Sequence, residues 1–202
     1  MIHDKKGLIG GIGFGPDTYL ELGCGDRKRH ANAIGIDALD FPDVDVVGDV
    51  FEVLSKLPDG SIAGIYSYHF FEHIEDIERL FNEVTRVLRR EGELKVVVPH
   101  FSNAFYYSDL THRHPFGLYS FSYFCNDKLF RRTVPKYMRD IRCELTQVRL
   151  VFKSYPPRYI RHALRKFAQS LVNSSRYMQE LYEENWTGFL SCYEVEYWMR
   201  RL

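Results

Sequence analysis

Acids and glycines stand at the ends of two short apolar runs near the start of the chain. The first run ends in Glu21, followed by Gly23 and Gly25, and the second run, residues 33–36, ends in Asp37. Glycines lack a Cβ and let the backbone approach a ligand closely. An acid that ends the next parallel strand can accept hydrogen bonds from both hydroxyls of a ribose. The pattern predicts a nucleoside site at the carboxyl edge of an open sheet.

The spacing of these residues argues against a dinucleotide ligand. The dinucleotide fingerprint has a third glycine three residues after the second and an acid about 20 residues further on. Here Lys28 occupies the third-glycine position, and only twelve residues lead from Gly25 to Asp37. Such a connection has room for barely one helical turn, so no pyrophosphate is expected at a helix end. A ligand that carries a ribose and a cationic or amino group fits better, because the negative charge of Glu21 would stabilise that group. S-adenosylmethionine is such a ligand.

Further segments follow in a fixed order along the chain. Residues 46–50 form an apolar run around Asp49, residues 65–74 lead into the pair Glu72-His73, residues 86–94 end a helical pattern, and residues 95–100 form another apolar run. In this order the motifs resemble those of the class I S-adenosylmethionine-dependent methyltransferases, over residues 18 to about 124. The resemblance implies S-adenosylmethionine as cofactor. It assigns cofactor binding to Glu21, Gly23, Gly25, Asp37, Asp49, Tyr68 and His69.

Alternating strands and helices up to residue 99 predict an α/β fold. We expect a Rossmann-like, open and mainly parallel sheet with helices on both faces, and the resemblance implies an antiparallel last strand. Helical spacing of apolar residues predicts a helix over residues 72–90 and a basic amphipathic helix over 158–172. A shorter helix is expected over 175–184, with strands over 94–98, 145–152 and 193–198. In the basic helix, the apolar residues on one face are Ile160, Leu164, Phe167 and Leu171.

Length and composition favour a single domain over residues 1–202, which the resemblance implies is a methyltransferase domain. Residues 1–17 are glycine-rich and are expected to be a flexible lead-in, while residues 100–135, dense in aromatics, His and Ser, are expected to form a lid or substrate insertion. No apolar run reaches the length of a membrane span, and no secretory signal is expected. Four scattered cysteines suit a reducing cytoplasm.

Charge is distributed unevenly in a chain whose net charge is zero. Residues 37–94 hold fourteen acids against five Lys or Arg, a net of −9, whereas residues 128–166 hold twelve Lys or Arg against two acids, a net of +10. The basic segment is either an ordinary solvated surface or a site for an anionic acceptor or an anionic membrane surface. The residues proposed to recruit such a partner are Arg131, Arg132, Arg158, Arg161 and Arg165.

The loop after the fifth strand carries the candidate catalytic groups. Methyl transfer from a sulfonium is an in-line displacement, so the protein chiefly positions the acceptor and excludes water. A hydroxyl acceptor also needs a general base. Asp109 and His112 stand in an Asp-x-Thr-His stretch that resembles a loop of small methyltransferases associated with glycan biosynthesis, and His112 is the predicted base with Asp109 as its orienting carboxylate. In the alternative interpretation both residues only hold a lid in place.

Neither the histidines of this loop nor His69 and His73 have a recognisable metal-ligand spacing, so no metal is expected. The acceptor is expected to be a hydroxyl of a small molecule or glycan, with no membrane span and with peripheral membrane contact left open. A nucleic-acid or protein methyltransferase remains an alternative, as does a non-catalytic nucleoside-binding protein on the same fold. Lys28 and the short connection disfavour a nicotinamide-dependent oxidoreductase.

Overall fold

An eight-stranded sheet organises the computed structural model, which describes residues 2–9, 17–137 and 140–202. Six strands lie in the first half of the chain, and the sixth begins directly after the second helix. The strands are β1 (His3–Asp4), β2 (Tyr19–Leu22), β3 (Ile34–Asp37), β4 (Val46–Val47), β5 (Ile62–Tyr68), β6 (Leu88–Pro99), β7 (Cys143–Val151) and β8 (Glu194–Arg201).

The strand order across the sheet is β1-β4-β3-β2-β5-β6-β8-β7. The five strands from β4 to β6 pair in parallel. Strand β8 lies antiparallel between β6 and β7, in register from Glu93 opposite Arg200 to Pro99 opposite Glu194. A mainly parallel, Rossmann-like sheet with an antiparallel last strand is therefore confirmed.

Two pairs of helices flank the sheet. Helix α1 (Val50–Ser55) packs against α2 (Ile77–Val87), and α3 (Tyr159–Val172) packs against α4 (Arg176–Asn185) and β7. Consecutive β6 residues Val96, Val97 and Val98 are at most 2% exposed, so this strand is covered on both faces. None of the helices in the described ranges is long and apolar enough to cross a membrane.

The connection between β2 and β3 is as short as the spacing predicts. Residues 23–33 form turns and bends, with no helix between the two strands. The glycine turn therefore leads directly across the edge of the sheet, where a longer connection would place a helix N-terminus.

Part of the predicted flexible lead-in is ordered. His3 and Asp4 form β1 and pair with β4, and Lys5 and Lys6 make ion pairs with Asp40 and Asp45 at 2.5 Å. These contacts fix the segment, because each places a cation on a carboxylate of the neighbouring loop. The glycines from residue 11 to 15 lie outside the described residues.

The predicted helix over residues 72–90 is shorter in the structure. Asp76 caps α2 by accepting a hydrogen bond from the Arg79 N–H, so the helix begins at Ile77. Glu72 and His73 lie instead in a separate 3-10 turn, Phe71–His73. At the other end Leu88 is extended and opens β6, where it pairs with Ile62.

Helix α3 has the predicted extent, but its apolar face lies in solvent. Its buried residues are Arg165, Gln169 and Val172. The Gln169 side chain accepts a hydrogen bond from the Phe152 N–H, and Arg165 donates to two backbone carbonyls, so polar anchors hold this helix to the sheet. The apolar residues of the periodic face are 48–80% exposed: Ile160, Leu164, Phe167 and Leu171.

Candidate active site

The main crevice opens where the strand order reverses, between β2 and β5. In open parallel sheets this switch point is where ligands bind, outside the carboxyl ends of the strands. The crevice has a volume of about 620 Å³. It is lined by five of the strand-end residues, Glu21, Gly23, Cys24, Tyr68 and His69, and by the loop residues Asp26, Arg27, Lys28 and Arg29.

The two glycines of the turn are both needed, for different reasons. Gly23 has a φ of +65°, and a Cβ there would lie 2.4 Å from the ring of Phe70. Gly25 has a φ of +61°, but a Cβ there would meet nothing within 4 Å. Gly23 thus permits close packing of the turn on the segment after β5, and Gly25 leaves open space at the edge of the crevice.

Glu21 holds the loop that follows the turn. Its carboxylate is 2% exposed and accepts hydrogen bonds from the N–H groups of Arg29, at 2.9 Å, and His30, at 2.8 Å. The sequence predicts a charge that faces the ligand; the structure shows that this charge also fixes the backbone of the crevice wall.

Asp37 and Asp49 lie at the ends of neighbouring strands. Asp37 accepts hydrogen bonds from the N–H groups of Gly25 and Leu39, both at 2.9 Å. Asp49 caps α1 through Oδ1 and is exposed. Each carboxylate oxygen has two lone pairs, so Asp37 can still accept from ribose hydroxyls and Asp49 can accept from an adenine amino group.

Four contacts of this wall escaped the sequence analysis. The His30 ring stacks on Tyr66 with 3.7 Å between centroids, and its Nε2 lies 2.8 Å from the Tyr68 hydroxyl. The Arg29 guanidinium covers the Tyr68 ring at 4.2 Å, and Lys28 pairs with the buried Asp45 at 2.6 Å. No local pattern signals these contacts, because each joins residues that are at least 17 positions apart.

His69 lines the crevice and also contacts two carboxylates, one from the 3-10 turn after β5 and one from β8. Its backbone has a φ of 54°, and its ring nitrogens lie 3.4 Å from Glu72 and 3.3 Å from Glu194. Burial lowers the pKa of His69, but the carboxylates of Glu194 and Glu72 outweigh burial and raise it to about 9. His69 is therefore a cation at neutral pH, and Lys153, 3.0 Å from Glu194, extends this network toward α3.

The loop after β6 places His112 next to His73. The His112 Nδ1 lies 2.8 Å from the Tyr106 carbonyl oxygen and therefore carries the proton, which leaves the Nε2 lone pair free. Asp109 is 3.7 Å from that Nε2 and is bonded mainly to Thr111, through both its N–H and its hydroxyl. The Tyr106 carbonyl, rather than Asp109, thus orients the imidazole.

A second cavity of about 360 Å³ lies between this loop and the start of α3. Lys153, Arg158 and Arg161 line it together with the aromatic rings of Phe105 and Tyr155. Arg165 also borders the cavity, but its guanidinium is bonded to the carbonyls of residues 153 and 191. Arg131 and Arg132 do not line it; their guanidinium groups lie over Tyr177 and Tyr119.

Residues 20–96 match the model of a family described as a methyltransferase domain. The matched segment contains the glycine turn, both strand-end acids and the residues after β5. A comparison with curated proteins finds no match.

Solved structures with the same fold cover nearly the whole chain. A SAM-dependent methyltransferase from Archaeoglobus fulgidus is 17% identical, with a TM-score of 0.55, over 94% of this chain and 87% of that one. Phosphoethanolamine N-methyltransferase 2 from Haemonchus contortus, in complex with S-adenosyl-L-methionine, is 14% identical, with a TM-score of 0.52, over 96% of this chain and 50% of that one.

The fold and the matched segment define an S-adenosylmethionine-dependent methyltransferase. The described residues fit that cofactor. The open space beside Gly25 admits a ligand, the remaining lone pairs of Asp37 suit a ribose, and Arg27 lines the crevice and can pair with a carboxylate tail. Burial, followed by the charge of Asp37, raises the pKa of the Cys24 thiol to about 12, so this thiol stays protonated and is no nucleophile.

Proposed function

We propose that the protein transfers a methyl group to a hydroxyl of a small-molecule or glycan acceptor. The observation that carries this proposal is the free Nε2 of His112, on the loop that follows β6, at the edge where an acceptor must approach the methyl donor. A neutral hydroxyl is a poor nucleophile and requires a group that removes its proton. An acceptor without such a proton would have no use for this imidazole.

The cofactor supplies a methyl group that its sulfonium already activates. The residues of the chain position the acceptor and handle the proton. In the simplest mechanism the Nε2 of His112 takes the hydroxyl proton, while the Nδ1–H keeps its bond to the Tyr106 carbonyl and fixes the tautomer. His69 is unsuited to this role, because its two ring nitrogens face Glu72 and Glu194 and it is already protonated.

The test is a panel of acceptors with radiolabelled methyl donor. Sugars, phosphorylated sugars and nucleotide-linked sugars are compared with amines, oligonucleotides and peptides. With the best hydroxyl acceptor, we expect His112→Ala to lower turnover by about 100-fold or more and to leave cofactor affinity nearly unchanged. His114→Ala is the matched control, since the Nε2 of His114 is bonded to the carbonyl of residue 75 and is not free. Label on an amine, a nucleic acid or a peptide alone would contradict the proposal.

We propose further that the acceptor is anionic and enters through the second cavity. Arg158 and Arg161 line this cavity, and guanidinium groups match phosphate geometry. If electrostatic attraction captures the acceptor, its apparent KM rises steeply with ionic strength, and Arg161→Glu mimics high salt without altering cofactor binding. Arg131→Glu is the control from the same basic segment. If neither salt nor Arg161→Glu changes the apparent KM, the acceptor is neutral and the proposal of an anionic acceptor is wrong.

The exposed face of α3 supports contact with an anionic membrane surface. Ile160 and Phe167 are 80% and 73% exposed, and Arg158, Arg161 and Lys166 are exposed on the same helix. Apolar side chains flanked by cations are typical of helices that lie in the interface of anionic lipid. The four cysteines are free, which agrees with a cytoplasmic membrane face.

Vesicle sedimentation tests this contact. The protein is expected to pellet with vesicles of phosphatidylcholine and phosphatidylglycerol and to stay in solution with phosphatidylcholine alone. Ile160→Ser combined with Phe167→Ser is expected to abolish pelleting, whereas Leu39→Ser, at an exposed apolar residue on the far side of the sheet, leaves it intact. If the double variant instead turns a dimer into a monomer and vesicles have no effect, the face binds a second copy and the membrane proposal is wrong.

A further inference from the structure

We propose that Glu72, His73 and His112 bind a divalent transition-metal ion. Each of the three side chains offers one potential ligand atom, and these atoms lie within 4.8 Å of one another. Glu72 and His73 come from the 3-10 turn after β5, and His112 comes from the loop after β6. Two histidines and one carboxylate with open positions form a donor set that Zn²⁺ and similar ions use in catalytic sites.

Both imidazoles carry their proton on Nδ1, so the Nε2 atom of each is free to bind a metal ion. The Nδ1–H of His112 donates to the Tyr106 carbonyl. The hydroxyl of Thr111 donates its only proton to Asp109 at 2.6 Å, so it accepts from the Nδ1–H of His73 at 2.9 Å. Both Nε2 atoms therefore carry lone pairs, and both Nδ1–H groups have the oxygen partners that orient histidine ligands in metal sites.

A second observation, independent of the two imidazoles, concerns the buried carboxylate of Glu72. Its side chain is 0% exposed, and neither carboxylate oxygen has a hydrogen-bond partner within the described part of the chain. Its ion-pair partner is the cationic His69, whose Nδ1 lies 3.4 Å from Oε1, which is longer than an ordinary N–H···O hydrogen bond. An ionised carboxylate that is removed from water needs partners for its lone pairs. A cation between Glu72 and the two imidazoles would provide that partner.

The position of the site gives the ion a role that rests on the proposed function. A hydroxyl bound to a divalent cation loses its proton near neutral pH far more readily than a free one. With the ion bound, the Nε2 of His112 is a ligand, and Asp109, 3.7 Å from that nitrogen, is placed to take the proton. The Nε2 lone pair of His112 can either bind the ion or accept the hydroxyl proton directly, but not both. Turnover that depends on the metal would therefore distinguish the metal-bound mechanism from direct proton acceptance by His112.

Binding is tested first, without any acceptor. The full-length chain is stripped with a chelator and titrated with ZnCl₂ in a calorimeter, and Co²⁺ absorption reports the coordination geometry. We expect one ion per chain. Glu72→Gln, His73→Gln and His112→Gln should each weaken binding by about 100-fold or more, beyond the 10–100-fold effect of second-shell changes. His114→Gln is the matched control and should bind like the wild type, because its ring nitrogen is bonded to a backbone carbonyl.

Circular dichroism shows whether each variant is folded, and the Co²⁺ spectrum of His112→Gln, at a partly exposed loop position, reads coordination even if Glu72→Gln unfolds. Absence of Zn²⁺ binding by the wild type, or equal binding by His112→Gln, would overturn the metal site. Turnover that survives chelation would overturn the role of the ion and leave the proposed methyl transfer intact. Methylation of a group other than a hydroxyl would contradict the proposed function without changing the binding isotherm.

Discussion

The loop after β2 and the loop after β6 both border the site, yet they are built in different ways. The first is short, and carboxylates from the strands on either side hold its backbone: Glu21 binds two N–H groups, and Asp37 binds the N–H of Gly25. The second runs from residue 100 to residue 142, and its described residues contain two 3-10 turns. Its contacts reach His73, Glu72 and Glu183 in distant segments. The backbone of the cofactor side is thus held by carboxylates of adjacent strands, while the acceptor side depends on contacts with distant segments.

The largest effect on stability is expected in the loop after β2, where the two glycines of the turn can be compared with each other. Gly23→Ala should lower the free energy of unfolding by about 2–5 kcal/mol, because the left-handed backbone costs about 1–2 kcal/mol and the clash with Phe70 about 1–3 kcal/mol. Gly25→Ala has the backbone cost without the clash and should lose about 1–2 kcal/mol. Urea denaturation measures both. Equal losses would show that Phe70 moves aside.

Asp37→Ala tests the cofactor side of the site, through the affinity for S-adenosylmethionine. Loss of its carboxylate should weaken binding of S-adenosylmethionine by about 1.5–3 kcal/mol, as for a hydrogen bond to a charged group. The same change also removes the acceptor of the Gly25 N–H. Calorimetry measures the affinity, and Asp40→Ala, at an exposed carboxylate of the same loop, serves as control. Unchanged affinity in Asp37→Ala would remove Asp37 from the ribose site.

Lys28→Met tests how far an ion pair fixes the first loop. Burial raises the pKa of Asp45, but Lys28, Lys6 and the Gly35 N–H outweigh burial and hold it below the usual value. Because the folded pKa is lowered, Asp45 stabilises the protein above pH about 4 and loses that contribution as pH falls through its folded pKa. Without Lys28 the protein should lose about 1 kcal/mol at pH 7.

The acid-induced loss of stability should also be smaller in Lys28→Met than in the wild type, because a folded pKa of Asp45 nearer the unfolded value narrows the pH range in which only the unfolded state binds the proton. Urea denaturation at a series of pH values checks this expectation. Lys5→Met, which breaks the pair with the exposed Asp40, is the control and should change little. Identical pH profiles for the wild type and Lys28→Met would show that Lys6 and the Gly35 N–H suffice.

The smallest effect is expected in the second loop. If His112 takes the proton directly, Asp109→Asn should lower turnover by about threefold or less, since the Asp109 side chain is half exposed and its hydrogen bonds go to Thr111 rather than to His112. Steady-state kinetics with the acceptor identified by the panel measures the change. A loss as large as that of His112→Ala would make Asp109 a participant in proton transfer.

The sequence predicted those parts of the molecule whose signals are local. Apolar runs and helical spacing located β7, β8, α3 and α4 to within a few residues, and the glycine turn located the crevice, whereas β6 begins six residues before the predicted strand. The helix over residues 72–90 was too long because periodicity continues across the cap at Asp76 and across the extended Leu88.

Other features depend on where distant segments meet. Glu194 reaches His69 from a strand 125 positions later in the chain, and His30 meets Tyr68 across 38 positions. The apolar stripe of α3 was recognised as periodic, but periodicity does not say which face of a helix is buried. Here polar anchors at Arg165 and Gln169 turn the stripe toward solvent. The free lone pair of His112 required the position of the Tyr106 carbonyl.

The place of β8 between β6 and β7 has a consequence for the order of events during synthesis. Strand β8 forms an interior row of the sheet, yet it leaves the ribosome after all of its neighbours, about 100 residues later than β6. Until it arrives, β6 has an unpaired edge and β7 has no partner, and His69 lacks Glu194. The nascent chain therefore completes its sheet and its site in one late step.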